Sequence, residues 1–175
     1  MLSKKQKSKF KNIKLLLLDV DGVLTDGRII YDSKGCDSKF FDVHDGLGIY
    51  LLNRMGIKTI LVTAKGSGSI KPRAKDMRVE AVYENILPKT KVYEKVLVKY
   101  GLKDEDICFV GDDLVDLCVL KRAGLPVATH NACGVVKKAA AYVTKKDGGR
   151  GAVREVAELI LQSKGLWDKA LEIYR

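Results

Sequence analysis

Asp19 and Asp21 stand two residues apart at the end of a run of four leucines, and Gly22 follows them. In an extended chain, positions i and i+2 point the same way, so both carboxylates face one site. Acids this close repel unless a cation or a shared proton relieves them. Gly22 and Gly27 let the chain turn sharply around whatever binds there. Asp112, Asp113 and Asp116 follow another apolar run, and Thr63 and Lys89 lie between. The chemistry these residues suggest is phosphoryl transfer. A phosphate monoester dianion resists attack because the nucleophile meets like charge. Magnesium, held by carboxylates and phosphate oxygens, answers that, and Asp19 and Asp112 are its natural ligands. The Asp19 carboxylate can also attack phosphorus, giving an aspartyl-phosphate that water later cleaves. Asp21 can protonate the leaving oxygen and then take a proton from that water. The Thr63 hydroxyl would hold phosphoryl oxygens, while Lys89 would offset surplus negative charge and fix Asp19. Asp113 and Asp116 could orient metal-bound water or the lysine from behind.

Taken singly, these signals are unequal. Two acids after a strand also describe a plain acidic turn, and acids after Gly111 also suit a helix N-terminus. Thr63 alone and Lys89 alone carry almost nothing. Gly148-Gly149-Arg150-Gly151 fits an anion-holding loop at a helix start and a plain connecting turn equally well. Asp45 reads as a substrate contact or as a helix N-cap. The combination carries the reading.

The elements that must position these residues are legible. Leu15 to Leu18 is a strand buried on both faces. Arg28 to Tyr31 and Lys39 to Phe41 flank a turn-rich Asp32-Ser33-Lys34-Gly35, a projecting β-hairpin. A helix follows Asp45-Gly46 and ends at Gly56; Ile57 to Val62 is the next buried strand, ending at Thr63. A helix over Ile70 to Met77 and a strand at Ala81 to Tyr83 come next, and then Lys89 precedes a helix stopped by Gly101. Ile107 to Val110 delivers Gly111-Asp112-Asp113, and a helix carrying Leu114, Leu117, Cys118 and Leu120 and stopping near Gly124 follows. Pro126 to Ala128 is a short strand, Asn131 is a candidate N-cap for a helix through Ala141, and Tyr142 to Thr144 is the last strand. Ala152 to Ser163 and Trp167 to Tyr174 are the closing helices. Alternating strands and helices imply an α/β, doubly wound, Rossmann-like and mostly parallel sheet. Asp19, Thr63 and Asp112 then share its carboxyl edge, where such sheets bind ligands.

At 175 residues this is one domain, expected over residues 13–164, with a basic amino-terminal arm at 1–12 and a tail at 165–175. Six of the ten excess positive charges sit between Lys4 and Lys14, leaving +4 elsewhere. No aromatic platform or nucleic-acid motif accompanies them, so the arm reads as a solvated tail, with neither nucleic acid nor membrane as partner. The four cysteines show no metal or disulfide spacing. The apolar run at 13–18 is too short for a signal core or a bilayer span. The expected location is cytoplasmic.

The segments Asp19 to Gly27, Thr63, Lys89 and Gly111 to Asp116 together resemble the four motifs of the haloacid dehalogenase-like phosphatases. Within them, Asp45-Gly46-Leu47-Gly48-Ile49 and Gly148 to Glu155 resemble the 3-deoxy-D-manno-octulosonate 8-phosphate (KDO 8-phosphate) phosphatases. The resemblance spans about residues 13–160. It implies a phosphatase without a cap domain, assembled as a homotetramer and acting on a small sugar phosphate of lipopolysaccharide synthesis. It makes Asp19 the nucleophile and Asp21 the acid/base. Magnesium would take the Asp19 carboxylate, the Asp21 main-chain carbonyl and Asp112. One departure stands out. The family usually follows the threonine or serine with Gly-Arg, whereas this chain has Thr63-Ala64-Lys65. Lysine lacks the bidentate fork of arginine, so a nine-carbon sugar-acid 9-phosphate or a broad set of sugar phosphates is the alternative substrate. Arg73, where the family commonly carries an arginine, is a candidate to compensate; Lys65 also reads as a solvated loop lysine.

Two other classes compete. A signalling receiver domain also gathers aspartates, a threonine and a lysine around magnesium, but it lacks an acid/base beside the phosphorylated aspartate. Asp21 argues against it. An inactive assembly protein would not need every reactive side chain in place. The intervals after Asp21 and after Thr63 are too full for an inserted cap, so a neighbouring subunit's hairpin or carboxyl-terminal segment is the expected lid. A closed ring would also cover the hairpin edge.

Overall fold

The computed structural model describes residues 2–174. In chain order the elements are α1 (Lys4–Asn12), β1 (Leu15–Leu18), β2 (Ile30–Tyr31), β3 (Asp37–Ser38), α2 (Val43–Arg54), β4 (Lys58–Val62), α3 (Ile70–Asp76) and β5 (Ala81–Tyr83). They continue with α4 (Thr90–Tyr100), β6 (Ile107–Gly111), α5 (Leu117–Leu120), β7 (Leu125–Ala128), α6 (Gly134–Ala139), β8 (Tyr142–Val143), α7 (Ala152–Ser163) and α8 (Trp167–Leu171). Six strands form one parallel sheet in the order β5-β4-β1-β6-β7-β8, and β2 pairs with β3 as a separate antiparallel hairpin.

The leucine run explains the centre of this sheet. β1 lies between β4 and β6, and each of its four leucines is wholly buried. Leu16 and Leu18 face a core closed by α1, α2, α3 and α7, while Leu15 and Leu17 face one closed by α4, α5 and α6. Burying a leucine contributes about 1.5–3 kcal/mol, so β1 is firmly held and Asp19 leaves it from a fixed point. The chain moves outward from β1 to β4 and β5, then returns to the other side at β6. That reversal opens the crevice at the carboxyl edge in which such sheets bind ligands.

Several expectations change. Residues 4–12 do not form a solvated tail. Ser3 and Gln6 make a reciprocal capping box, Phe10 is wholly buried edge-on to Tyr142, and the Lys9 ammonium donates to the Gly124 carbonyl. Residues 1 and 175, the outer ends of the arm and tail, lie outside the described residues. The second hairpin strand is Asp37–Ser38 rather than Lys39 to Phe41, because Asp32 tightens the turn by accepting from the N–H groups of Lys34 and Cys36. Asn131 does not cap α6. Cys133 takes that position and the Asn131 side chain accepts from the Gly148 N–H at 2.8 Å. The segment after Asp113 is a 3-10 turn (Leu114–Asp116) running into α5, not one helix. The hairpin and α2 fill the interval from β1 to β4, and α3 and β5 the interval from β4 to α4, so no cap is inserted among the described residues.

Candidate active site

Asp19 follows β1 and its N–H donates to the Val110 carbonyl of the neighbouring strand, which brings the two acidic loops side by side. Asp19, Asp112 and Asp116 can each place a carboxylate oxygen within 4.8 Å of the others. Lys89, at the head of α4, reaches in with a side chain that is 0% exposed. Its ammonium lies 2.8 Å from Asp19 Oδ1 and donates to Asp116 Oδ1 at 2.6 Å. The other Asp116 oxygen accepts from the N–H groups of Asp112 and Asp113 at 2.9 and 3.4 Å. Asp116 is therefore saturated and holds Lys89 and the Asp112 loop in place. Asp113 sits at the rim, where its side chain accepts from the Leu114 N–H.

Three carboxylates against one ammonium leave two negative charges in a largely closed space. Burial, followed by repulsion from Asp116, pushes Asp19 up to about 7 despite the pull of Lys89. Burial, followed by repulsion from Asp19, Asp116 and Asp113, likewise pushes Asp112 up to about 7. Burial opposes the charge on Lys89, but Asp19 and Asp116 outweigh it and raise its pKa. Asp112 Oδ1 is buried without a hydrogen-bond partner. Gly22, at φ +81°, leaves the space that Asp112 occupies, since a Cβ there would stand 2.0 Å from Asp112 Oδ2. A hard divalent cation fits this set: two oxygen donors with unmet charge, and a third acid already committed to a lysine.

The open side is a cavity of about 210 Å³ lined by Asp19, Asp21, Thr63, Lys65, Asp112 and Asp113, among others. Thr63, at the end of β4, is buried, and its hydroxyl donates to the Lys65 carbonyl at 3.0 Å. Asp21 projects toward the hairpin, where Lys39 donates to its Oδ1 at 2.5 Å. Lys65 reaches the same hairpin, with its ammonium 2.5 Å from the Tyr31 hydroxyl. Asp19, Asp21, Thr63, Lys65, Lys89, Asp112, Asp113 and Asp116 thus converge.

Three candidates lie elsewhere. Asp45 is buried inside α2, where its carboxylate accepts from the N–H groups of Gly151 and Arg154 at 3.3 and 2.8 Å. It caps α7 from a distance and does not line the carboxylate cavity, so its reading as a substrate contact finds no support there. Arg73 donates to the Asp42 carbonyl and lies over the Phe41 ring, packed against Gly46 of α2. It does not enter the carboxylate cavity and so cannot stand in there for the missing arginine. Arg150 points to Asp26 at 3.5 Å and lines separate clefts, including one of about 640 Å³ between α7 and the end of β8. The glycine loop that carries it supports Gly22: the Gly149 N–H donates to the Val23 carbonyl, and a Cβ on Gly148 would stand 1.7 Å from the Gly22 oxygen.

Sequence reasoning missed Lys39. The signal available was its spacing from Asp37, since two residues apart on an extended strand share a face. It also missed Thr25, a buried hydroxyl that accepts from the N–H groups of Gly22 and Gly27 and shapes the turn after Asp21.

The chain was compared with known proteins. Residues 73–156 match the model of a haloacid dehalogenase-like hydrolase. The 3-deoxy-D-manno-octulosonate 8-phosphate phosphatase of Escherichia coli (strain K12) is 37% identical over 163 residues, 93% of this chain and 87% of that protein. The crystal structure of the 3-deoxy-D-manno-octulosonate 8-phosphate phosphatase from Moraxella catarrhalis, in complex with magnesium ion, phosphate ion and KDO, superposes with a TM-score of 0.96 at 35% identity, covering 99% of this chain and 100% of that one. A probable yrbI family phosphatase from Pseudomonas syringae pv. phaseolicola 1448a superposes at 0.95 with 37% identity, covering 98% of each chain.

Proposed function

The chain belongs to the haloacid dehalogenase-like hydrolases, in the family of the 3-deoxy-D-manno-octulosonate 8-phosphate phosphatases, and from that premise we propose that it hydrolyses this sugar-acid phosphate to KDO and inorganic phosphate. It is a phosphoric monoester hydrolase with magnesium as cofactor. The observation that carries the reading is the buried Lys89 ammonium between Asp19 and Asp116, which leaves Asp112 Oδ1 without a partner.

The roles follow from that arrangement. Asp19 attacks phosphorus while Lys89 holds its carboxylate in line. Asp21, on the exposed side of the cavity, gives its proton to the departing sugar oxygen and recovers one from the attacking water. Thr63 and the N–H groups of its turn receive the phosphoryl oxygens. Asp116 keeps Lys89 and the Asp112 loop in position. The Asp19 carboxylate, the Asp21 main-chain carbonyl and Asp112 would hold magnesium, which supplies positive charge against the phosphoryl oxygens.

A nine-carbon sugar-acid 9-phosphate is the second reading. It is favoured by Lys65, which lacks an arginine fork and is drawn to Tyr31. The active assembly proposed is the homotetramer that the family resemblance implies; the exposed apolar side chains Ile29, Ile30, Tyr31, Phe40 and Val43 on and beside the hairpin support burial against a neighbouring subunit. The tail at 165–175 is the segment proposed to reach a neighbour's site; its Ala170 is buried within its own chain. Four unpaired thiols suit a cytoplasmic location, and no helix among the described residues is long and apolar enough to cross a membrane.

The test is magnesium-dependent phosphate release from the eight- and nine-carbon substrates. Turnover is expected on the first, with loss in Asp19→Asn and in Asp21→Asn. Full activity in Asp19→Asn would refute the nucleophile, and a preference for the nine-carbon ester would replace the substrate.

A further inference from the structure

The Lys39 side chain is 2% exposed, although it comes from a hairpin whose other residues are mostly open to solvent. A buried ammonium requires partners. Lys39 has two: a hydrogen bond to Asp21 Oδ1 at 2.5 Å and an ion pair with Asp37 Oδ2 at 3.7 Å, an oxygen that has no hydrogen bond of its own. Asp37 and Lys39 lie two apart along the chain leaving β3, and the Lys39 ammonium stands between the Asp37 and Asp21 carboxylates. A second link, Lys65 to Tyr31, draws β2 toward the loop after Thr63. The hairpin is thereby tied to its own subunit's site at two points, one of them the carboxylate assigned to proton transfer.

We infer that Lys39 is a positioning residue for Asp21: it fixes Oδ1 and so leaves Oδ2 as the oxygen that exchanges the proton. This rests on the phosphatase reading above. In the first step an Asp19 oxygen bonds to phosphorus as the phosphorus–sugar oxygen bond breaks. The electron pair leaves with the sugar oxygen, which takes the proton from Asp21 Oδ2. In the second step water bonds to phosphorus, the bond to Asp19 breaks, and the water's proton returns to Asp21. An unanchored Asp21 rotates among several rotamers, and only a fraction of them point Oδ2 at the leaving oxygen. Lys39 removes the others, and it does so only while the hairpin is seated.

This role is separable from simple support of the fold, because not every leaving group needs a proton. The experiment measures leaving-group release in the first turnover, with magnesium, from KDO 8-phosphate and from 4-nitrophenyl phosphate, whose phenolate departs unprotonated. General-acid assistance is typically worth about 100- to 10,000-fold, and a misplacement of about 1 Å costs about 100-fold. Lys39→Met is therefore expected to slow the sugar phosphate by about 100-fold and the aryl phosphate by less than about fivefold. Lys39→Arg restores most of the sugar-phosphate rate, and Lys39→Met added to Asp21→Asn costs nothing further. Lys39→Gln follows the same pattern at smaller amplitude and serves where the methionine variant does not fold. Equal slowing of both substrates, or additive loss in the double variant, would overturn the inference while leaving the phosphatase reading intact. A wild-type chain that releases neither leaving group would instead remove the phosphatase reading, and the inference with it.

Discussion

The Lys89 ammonium lies 2.6 Å from Asp116 Oδ1, with both side chains wholly buried. Removing one partner of such a pair costs about 3–5 kcal/mol. Lys89→Met should therefore unfold at clearly lower temperature without magnesium, and its phosphate release should fall by at least about 100-fold. Because no ammonium would then offset the three carboxylates, the stabilisation by magnesium should grow while turnover collapses. Calorimetry with and without the ion, beside a phosphate assay, reads both; retained turnover would sink the role given to Lys89.

Asp112→Asn should do the opposite to the metal. It removes the acid whose oxygen lacks a partner and relieves repulsion on Asp19. The metal-free variant should be as stable as the parent or more so, and magnesium should no longer raise its melting temperature. An undiminished magnesium shift would place the ion elsewhere.

The magnesium shift itself should depend on pH. Asp19 and Asp112 are both raised from 3.8 to about 7. The metal-free fold therefore holds protons that the unfolded chain has already lost. That contribution to stability is complete below about pH 4 and is lost as pH rises through about 7. Magnesium binding displaces the same protons, so its stabilising effect should increase from pH 6 to pH 8. Melting curves at fixed magnesium over that range provide the check, and a flat response would contradict the linkage.

Asp45 should behave as a cap rather than a contact. Its carboxylate accepts from two N–H groups at the start of α7. Asp45→Ala should cost about 1–2 kcal/mol, or roughly 2–8 °C for a chain of this size. The Michaelis constant should hold. A large rise in that constant with an unchanged melting temperature would restore the substrate-binding reading.

Phe40, 67% exposed beside the hairpin, should be an interface residue. Light scattering is expected to give a tetramer for the parent chain and smaller species for Phe40→Asp. A parent chain that runs as a monomer would end the tetramer proposal.

The parts of the molecule governed by short-range pattern were readable from sequence. Four consecutive leucines ended by an acid read as a doubly buried strand, and β1 is one. Ala81–Tyr83 and Ala152–Ser163 fall where alternation and the glycine before α7 put them. The convergence of Asp19, Thr63 and Asp112 was readable because strand ends in a parallel sheet share an edge, whereas Lys89, at the head of α4, joined them only through the family resemblance. What escaped depended on long-range partners. Asn131 has good cap chemistry, but the Gly148 N–H competes for its oxygen. Asp45 looks like an exposed helix start until α7 folds across it. The arm's lysines hide a single phenylalanine that docks it. Lys39 matters only through a contact across eighteen residues of chain.

The main-chain contact between Gly148 and Gly22 has a practical consequence for redesign. A Cβ on Gly148 would strike the Gly22 carbonyl and one on Gly22 would strike the Asp112 carboxylate, so neither partner is a useful target for altering selectivity. The tip near Gly35 meets nothing around it. Libraries aimed at new sugar esters should spend their diversity on Ser33 and Lys34 in that turn, leaving Gly35, whose φ is +76°, the anchoring strands and the glycine junction untouched.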